Sequence, residues 1–386
     1  MRKDLGIYIH IPFCISKCHY CDFTSFKVGD EDIINTYVNS VCNEILSKAE
    51  ILSESNIVSI YFGGGTPSYI PSEYIVKILD TLRLVCYIQN DLSITIEINP
   101  KTLTLNKALD YSKSGINRAS IGLQSTHDDI LKTIGRVHNL KDFEDTLNYL
   151  KEANISNISC DLIYPLPKLT INKFKDTLNY VVNIEDLKHI SIYNLEVHEG
   201  TKLDFLLKEG YISLPDEDDE YTMKNAIDEV LTGSGYCKYE ISNYSKKGFE
   251  SVHNLLYWNQ GEYLGFGVGS SSFINSSRYT NNSSLNEYID CFKDVINISP
   301  NTVISVNEDL NYEDLKREYV ILKLRLIKGL SLMEYKLKFK TDLLNDFKDV
   351  VKDNLSKNLI ILTDDNYLKL TKRGQEVANL VWESFL

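Results

Sequence analysis

Six short β-branched runs, separated by longer amphipathic stretches, constrain this chain most, because strand–helix alternation is the pattern of consecutive βα units. The runs are Leu5–Ile11, Ile57–Phe62, Ser93–Ile98, Asn117–Gly122, Asn157–Ile163 and His189–Leu195. Between them, helical periodicity predicts helices over Asp32–Leu52, Ser72–Val85, Leu140–Glu152 and Ile171–Val182. Six such units predict an α/β fold with a parallel sheet curved into an incomplete barrel, a partial (β/α)6 barrel. In such folds chemistry gathers where strands end and βα loops begin. With 386 residues, 43% of them hydrophobic, the chain can bury one large core and a smaller appended domain.

The strand ends carry residues that plain connections do not need. The first run leads into Cys14-Ile-Ser-Lys-Cys18-His-Tyr-Cys21, which holds three of the eight cysteines. Three thiolates so spaced suit three corners of an iron–sulfur cluster and leave the fourth iron without a protein ligand, whereas structural zinc usually takes four. The ordinary alternative is reduced core cysteines packed as small apolar residues. The second run ends in Gly63-Gly64-Gly65-Thr66-Pro67, where missing Cβ atoms admit close backbone approach to a ligand. The remaining ends supply Glu97-Ile-Asn-Pro100, Gly122-Leu-Gln124-Ser125, Asp161, and Tyr193 with Glu196. Singly, Glu97 and Asp161 read as ordinary capping or loop carboxylates; together, six strand ends converge on one polar face.

Charge and cysteine usage narrow the class. A formal net charge of −13 disfavours a protein that works by neutralising phosphates, so no nucleic-acid partner is expected. Cys42, Cys86, Cys160, Cys237 and Cys291 show no paired spacing, which fits reduced thiols in a reducing compartment. No basic start precedes an apolar stretch and cleavage site, and no run of about 18 apolar residues appears. The expectation is a cytoplasmic protein without a transmembrane segment.

Several motifs resemble those of the oxygen-independent coproporphyrinogen III oxidase family of radical S-adenosylmethionine (SAM) proteins. They are Ile9-His10-Ile-Pro-Phe-Cys14, the Gly-Gly-Gly-Thr-Pro run, Glu97-x-Asn-Pro, Arg118-x-Ser-Ile-Gly-Leu-Gln-Ser125, Gly135-Arg136-x-His138 and Asp161-Leu-Ile163, spread over nearly the whole chain. The resemblance implies a radical SAM barrel with a [4Fe–4S] cluster on Cys14, Cys18 and Cys21. It also implies SAM held by Tyr8, Gly64, Gly65, Thr66, Glu97, Gln124, Arg136 and Asp161. Carboxylates can accept from a ribose or ammonium group, and glutamine and arginine can hold a carboxylate. Arg136, Gln124 and Tyr8 have plain structural readings too: the first two can satisfy neighbouring loops and Tyr8 can simply pack. One departure is Pro165 in Asp161-Leu-Ile-Tyr-Pro165-Leu-Pro167, where the family has a glycine.

Two features resemble the HemW subgroup of heme chaperones. The triad ends Cys21-Asp22-Phe23, so Phe23 replaces the additional cysteine of the oxidases, and His253-Asn254-x-x-Tyr257-Trp258 resembles the subgroup's His-Asn-x-x-Tyr-Trp motif. That resemblance implies heme as cargo, with His253 a candidate axial ligand beside Asn254, Tyr257 and Trp258, and a heme-acceptor protein of membrane or respiratory type. His10 is a second candidate for contact with heme or SAM. By spacing alone, His253 reads rather as a buried core histidine whose ring hydrogen-bonds to backbone, with Tyr257 and Trp258 filling the core under the sheet; the resemblance brings the two readings nearer to level. The alternative functions are a coproporphyrinogen III oxidase, which would use SAM cleavage to decarboxylate propionates, and a redox-sensing regulator.

Toward the C-terminus, Pro215 and the acidic run Asp216–Glu220 read as a solvated helix start. Asn- and Ser-rich sequence around 275–305 predicts a boundary, dividing the chain into 1–295 and 296–386. Beyond it, helices over Glu318–Ile327, Leu343–Leu355 and Gln375–Phe385 and a hairpin of Leu359–Thr363 with Tyr367–Leu370 predict a small winged-helix-like α+β domain. Residues 301–386 carry 14 Lys and Arg against 14 Asp and Glu, so DNA binding is poorly driven and a lid or docking surface over the barrel mouth is expected.

Overall fold

The structure is a computed structural model that describes residues 2–27, 29–294 and 304–386. All six expected strands form, as β1 (Asp4–Ile11), β2 (Asn56–Gly64), β3 (Ser93–Ile98), β4 (Arg118–Gln124), β5 (Asn157–Tyr164) and β6 (Leu187–Asn194). They lie parallel and in sequential order. Residue type alternates along them. Ile60, Phe62, Ile94, Ile96, Ala119, Ile121, Cys160 and Leu162 belong to the main hydrophobic core. Interleaved with them are Ser59, Tyr61, Thr95, Glu97, Arg118, Ser120, Ser159 and Asp161. An apolar helix face would leave this polar set without partners, so the sheet curls to enclose it.

The outer helices follow the expected periodicity, with Ser72–Val85, Leu140–Glu152 and Ile171–Val182 reproduced to the residue. A capping box of Asn139 and Asp142 starts the second, and Thr170 caps the third. The helix expected over Asp32–Leu52 is two, Glu31–Ser47 and Ala49–Glu54, separated at Lys48. A short helix at Leu105–Lys113 was not apparent from periodicity. The acidic run does start a helix, Glu217–Gly233, capped by the Asp216 side chain.

The sheet outgrows the six units. On one edge β7 (Cys237–Lys238) and β8 (Asn243–Ser245) add antiparallel to β6; on the other β9 (Glu262–Phe266) adds parallel to β1. Then β10 (Ser271–Ile274), β11 (Ser277–Asn281) and β12 (Ile304–Asp309) extend it antiparallel, for twelve strands among the described residues. The expected boundary at 295/296 lies outside the described residues; beyond it, β12 still belongs to the large sheet.

A second hydrophobic core, around Tyr319, Tyr335, Phe339 and Leu368, defines the small domain. Its three-stranded antiparallel sheet comprises β13 (Leu330–Ser331), β14 (Ile360–Leu362) and β15 (Tyr367–Leu370). The first helix, Tyr312–Leu324, starts earlier than expected, at a capping box of Asn311 and Asp314. The stretch Leu343–Leu355 breaks at Phe347, and Gln375–Phe385 breaks at Val377. Helices around this hairpin match the expected winged-helix-like character. The domain docks on the barrel through Arg325, which pairs with Glu240 at 3.7 Å and stacks on Trp258 and Trp382.

Candidate functional site

A cavity of about 640 Å³ opens at the C-terminal ends of the barrel strands. Cys14, Cys18 and Cys21 line it, as do Gly64, Gly65, Thr66, Glu97, Gln124, Arg136 and Asp161. Of the SAM-site residues expected from the resemblance, Tyr8 alone lies elsewhere: it faces a neighbouring cavity of about 610 Å³ together with His10, Tyr257 and Trp258. No residue of the small domain lines the cysteine cavity, whereas Glu318 and Leu322 line the neighbouring one. Where a lid or docking surface over the barrel mouth was expected, the small domain contributes a wall of the second cavity.

The cysteine loop is pinned from both sides. Cys14 N donates to Phe26 O at 3.0 Å and Phe26 N to Pro12 O at 2.7 Å. Opposite, His19 N reaches Ile134 O at 3.0 Å, and its Nδ1 lies 3.0 Å from Thr133 O. Thr66 Oγ1 donates to Cys14 Sγ at 3.4 Å, and Arg136 Nη1 to Cys18 Sγ at the same distance. Burial pushes the Cys14 and Cys21 thiols up, so thiolate there needs a compensating positive charge.

Backbone demands explain the glycines. A Cβ on Gly65 would stand 2.8–3.0 Å from main-chain atoms of Ile11, Pro12 and Phe13, so only glycine lets the two loops touch. Gln124 holds φ 69°, a strained conformation for a side-chain-bearing residue at a strand end. Arg136 Nη2 anchors on Gly122 O at 2.5 Å.

Two carboxyls face the same space. Glu97 accepts from Tyr61 Oη at 2.9 Å and Gly64 N at 3.2 Å; burial above all, with Asp161 adding repulsion, pushes its pKa up to about 7. Burial also raises Asp161, which accepts from Ser120 Oγ at 3.1 Å, while Arg118 pulls both carboxyls back down. Tyr61, Ser120 and Arg118, of which Ser120 alone lines the cavity, were missed as supports of the two carboxyls. Their signal was present as polar residues at every second position of β-branched runs.

The donors fit the expected groups. Among the described residues no three His, Cys, Asp or Glu side chains converge on a single metal ion. A cubane cluster instead spreads its thiolates to separate corners, as this loop does around one cavity. Buried Gln124 Oε1 and Arg136 Nε have no protein partner, which fits a polar ligand in the same space.

The heme candidates separate. His253 is 2% exposed and lines neither cavity. Its Nδ1 lies 2.8 Å from Ser59 Oγ, its Nε2 2.7 Å from Tyr257 Oη, and its ring stacks on Tyr61 at 5.0 Å. Burial pushes its pKa down to about 3. Asn254 also faces neither cavity; its backbone N–H is capped by Ser251 Oγ. The expected axial ligand is therefore a core histidine in this conformation, with hydroxyls where backbone partners were considered, while Tyr257 and Trp258 border open space.

Comparison with known proteins agrees with this geometry. The family model of the radical SAM superfamily matches residues 8–181 and that of the HemN C-terminal domain residues 310–377. The heme chaperone HemW of Bacillus subtilis is 32% identical over 98% of both chains, and that of Lactococcus lactis 30% identical over 100% of this chain and 98% of the relative. Coproporphyrinogen III oxidase (HemN) of Escherichia coli, a radical SAM enzyme, superposes with a TM-score of 0.86 at 21% identity, covering 100% of this chain and 90% of that one, a likeness of fold. By its barrel, its cysteine cavity and its full-length relatives, the chain belongs to the HemW family of radical SAM proteins.

Proposed function

We propose that this protein is a cytoplasmic heme chaperone, carrying heme beside a SAM-ligated [4Fe–4S] cluster and passing it to an acceptor protein of the membrane or respiratory apparatus. Cys14, Cys18 and Cys21 would hold the cluster. Tyr8, Gly64, Gly65, Thr66, Glu97, Gln124, Arg136 and Asp161 would hold SAM, Tyr8 beside Tyr61, whose hydroxyl donates to Glu97. When bound, the two groups supply one-electron reductive chemistry; the chain's contribution is to orient them and to keep the buried carboxyls paired.

The observation that carries this reading is Phe23. It is 66% exposed and borders both cavities, the cysteine cavity and the aromatic one. An oxidase would have its additional cysteine here; a phenyl ring in its place extends an apolar surface toward the second cavity. Among the described residues no helix is long and apolar enough to cross a membrane, so delivery to a membrane acceptor would be by docking. Coproporphyrinogen III oxidation is the alternative, favoured by the nearly complete SAM set and opposed by Phe23.

The test is an anaerobic heme titration of the cluster-reconstituted protein, followed in the Soret region. Saturation near one heme per chain supports the chaperone. Absence of specific binding, together with SAM-dependent turnover of coproporphyrinogen III, would replace it with the oxidase.

A further inference from the structure

Gln124 reaches the cysteine cavity through an unusual piece of backbone. Strand β4 slips out of register with β5 there: Gly122 pairs with Asp161 and Gln124 with Leu162, so Leu123 is the extra residue. Ser125 N donates back to Leu123 O at 2.9 Å while Gln124 keeps φ 69°. Together these make a γ-turn of the rare, strained kind, with a long side chain at its apex. A bulge of this sort re-aims a side chain, and here it turns the Gln124 carboxamide into the cavity. A Cβ on Gly122 would stand 2.9 Å from both Gln124 Nε2 and Arg136 Nη2, so amide and guanidinium meet over that glycine.

The grip on this turn comes from another segment. His138 Nε2 lies 3.1 Å from Leu123 O. A carbonyl only accepts, so Nε2 carries the proton and donates to the same oxygen that closes the turn. Arg136 Nη2 holds Gly122 O, so two side chains of one segment grip successive carbonyls of the strand end. That segment is itself fixed: Gly135, at φ 76°, follows the helix Asp128–Thr133, and Asn139 caps the helix Leu140–Glu152. His138 is 4% exposed, and burial, with the Arg136 charge adding to it, pushes its pKa down to about 3. The ring is therefore neutral at neutral pH. Its Nδ1 has no protein partner, which leaves Leu123 O as the one group the ring holds.

We infer that His138 is a positioning residue: its Nε2–H on Leu123 O holds the turn that aims the Gln124 carboxamide at SAM. The inference rests on the reading of Gln124 as a SAM contact. His138 itself does not line the cavity, so it acts through Gln124 alone. Without the bond, the strained turn relaxes toward ordinary negative φ and the carboxamide leaves the ligand.

The test measures SAM affinity by anaerobic calorimetry on cluster-reconstituted protein, with iron and sulfide content and thermal unfolding recorded for each variant. Glutamine places an amide nitrogen where histidine has Nε2, and asparagine where it has Nδ1, so the two substitutions separate the donor from polarity. His138→Asn should weaken SAM by about tenfold, the effect of one lost hydrogen bond, and His138→Gln should restore it. In a Gln124→Gly background, where no carboxamide is left to aim and positive φ is free of strain, His138→Asn should cost nothing further. His138→Ala repeats the comparison should the asparagine variant lose its cluster. Unchanged affinity in His138→Asn overturns the inference, as does an equal loss in His138→Gln or a loss that persists undiminished in the Gln124→Gly background. Undiminished SAM binding by Gln124→Gly itself, or a wild type that binds no SAM, overturns instead the reading of the site on which the inference rests.

Discussion

Glu44 offers the sharpest quantitative check on how the second cavity is held. Its carboxyl is 3% exposed and tied to donors on three sides: Gly267 N at 2.8 Å, Asn281 Nδ2 at 2.8 Å and Tyr288 Oη at 2.6 Å. The node joins the helix Glu31–Ser47 to the turn between β9 and β10, whose Gly269 and Ser270 form part of the cavity wall. Burial pushes the Glu44 pKa up to about 7 from an ordinary 4.5, against the pull of its three donors. A carboxyl raised on folding stabilises fully below its unfolded pKa, and that stability is lost as pH rises through the folded value. Between about pH 5.5 and about pH 8 the loss works out at about 2 kcal/mol. Glu44→Gln removes the titration and keeps the shape of the protonated carboxyl, with amide N–H where the acid has its O–H. Urea unfolding followed by far-UV circular dichroism should therefore show the stability difference between wild type and variant moving against the wild type by about 2 kcal/mol from the lower pH to the higher. A difference that stays constant, or moves in the wild type's favour, would refute the reasoning, since Glu44 would then be ionised throughout and its donors would outweigh desolvation.

Other substitutions test the first cavity. Replacing Cys14, Cys18 or Cys21 with Ala should abolish the cluster; wild-type iron and sulfide content in such a variant would remove that cysteine as a ligand. Gly65→Ala drives a Cβ to 2.8–3.0 Å from main chain that cannot swing aside, so a stability loss of about 1–3 kcal/mol and poor cluster retention are expected, read by thermal unfolding and iron analysis. Arg118→Met removes the guanidinium that holds Glu97 and Asp161 down, so both carboxyls should rise further and the pH profile of SAM binding should move to higher pH. An unmoved profile would show that neither carboxyl contributes to binding as an anion.

Legibility differed between strands and contacts for identifiable reasons. The six runs from Leu5 to Leu195 came through within a residue or two because β-branched clusters between helical patterns are a local signal. Helix breaks at Lys48, Phe347 and Val377 were invisible, since nothing at those positions forbids a helix and tertiary packing sets the bend. The extension β9 to β12 was equally hidden, because a strand as short as Ser271–Ile274 gains its stability from neighbours far away in the chain.

The sequence by itself determined the chemistry that is written in spacing: three cysteines in one loop, glycines at a strand end, carboxyls at two others, and the order in which parallel strands present them. It also determined the family, because those motifs recur together. Only the tertiary structure decided which way each polar side chain turns. A strand shows alternate residues to opposite faces, but the choice of face depends on the curvature of the whole sheet. Thus Tyr8 borders the neighbouring cavity, Tyr61 and Arg118 stand behind the carboxyls Glu97 and Asp161, and His253 is sealed between Ser59 and Tyr257. Burial and partnership are sums over distant neighbours, and no local pattern of residues contains them.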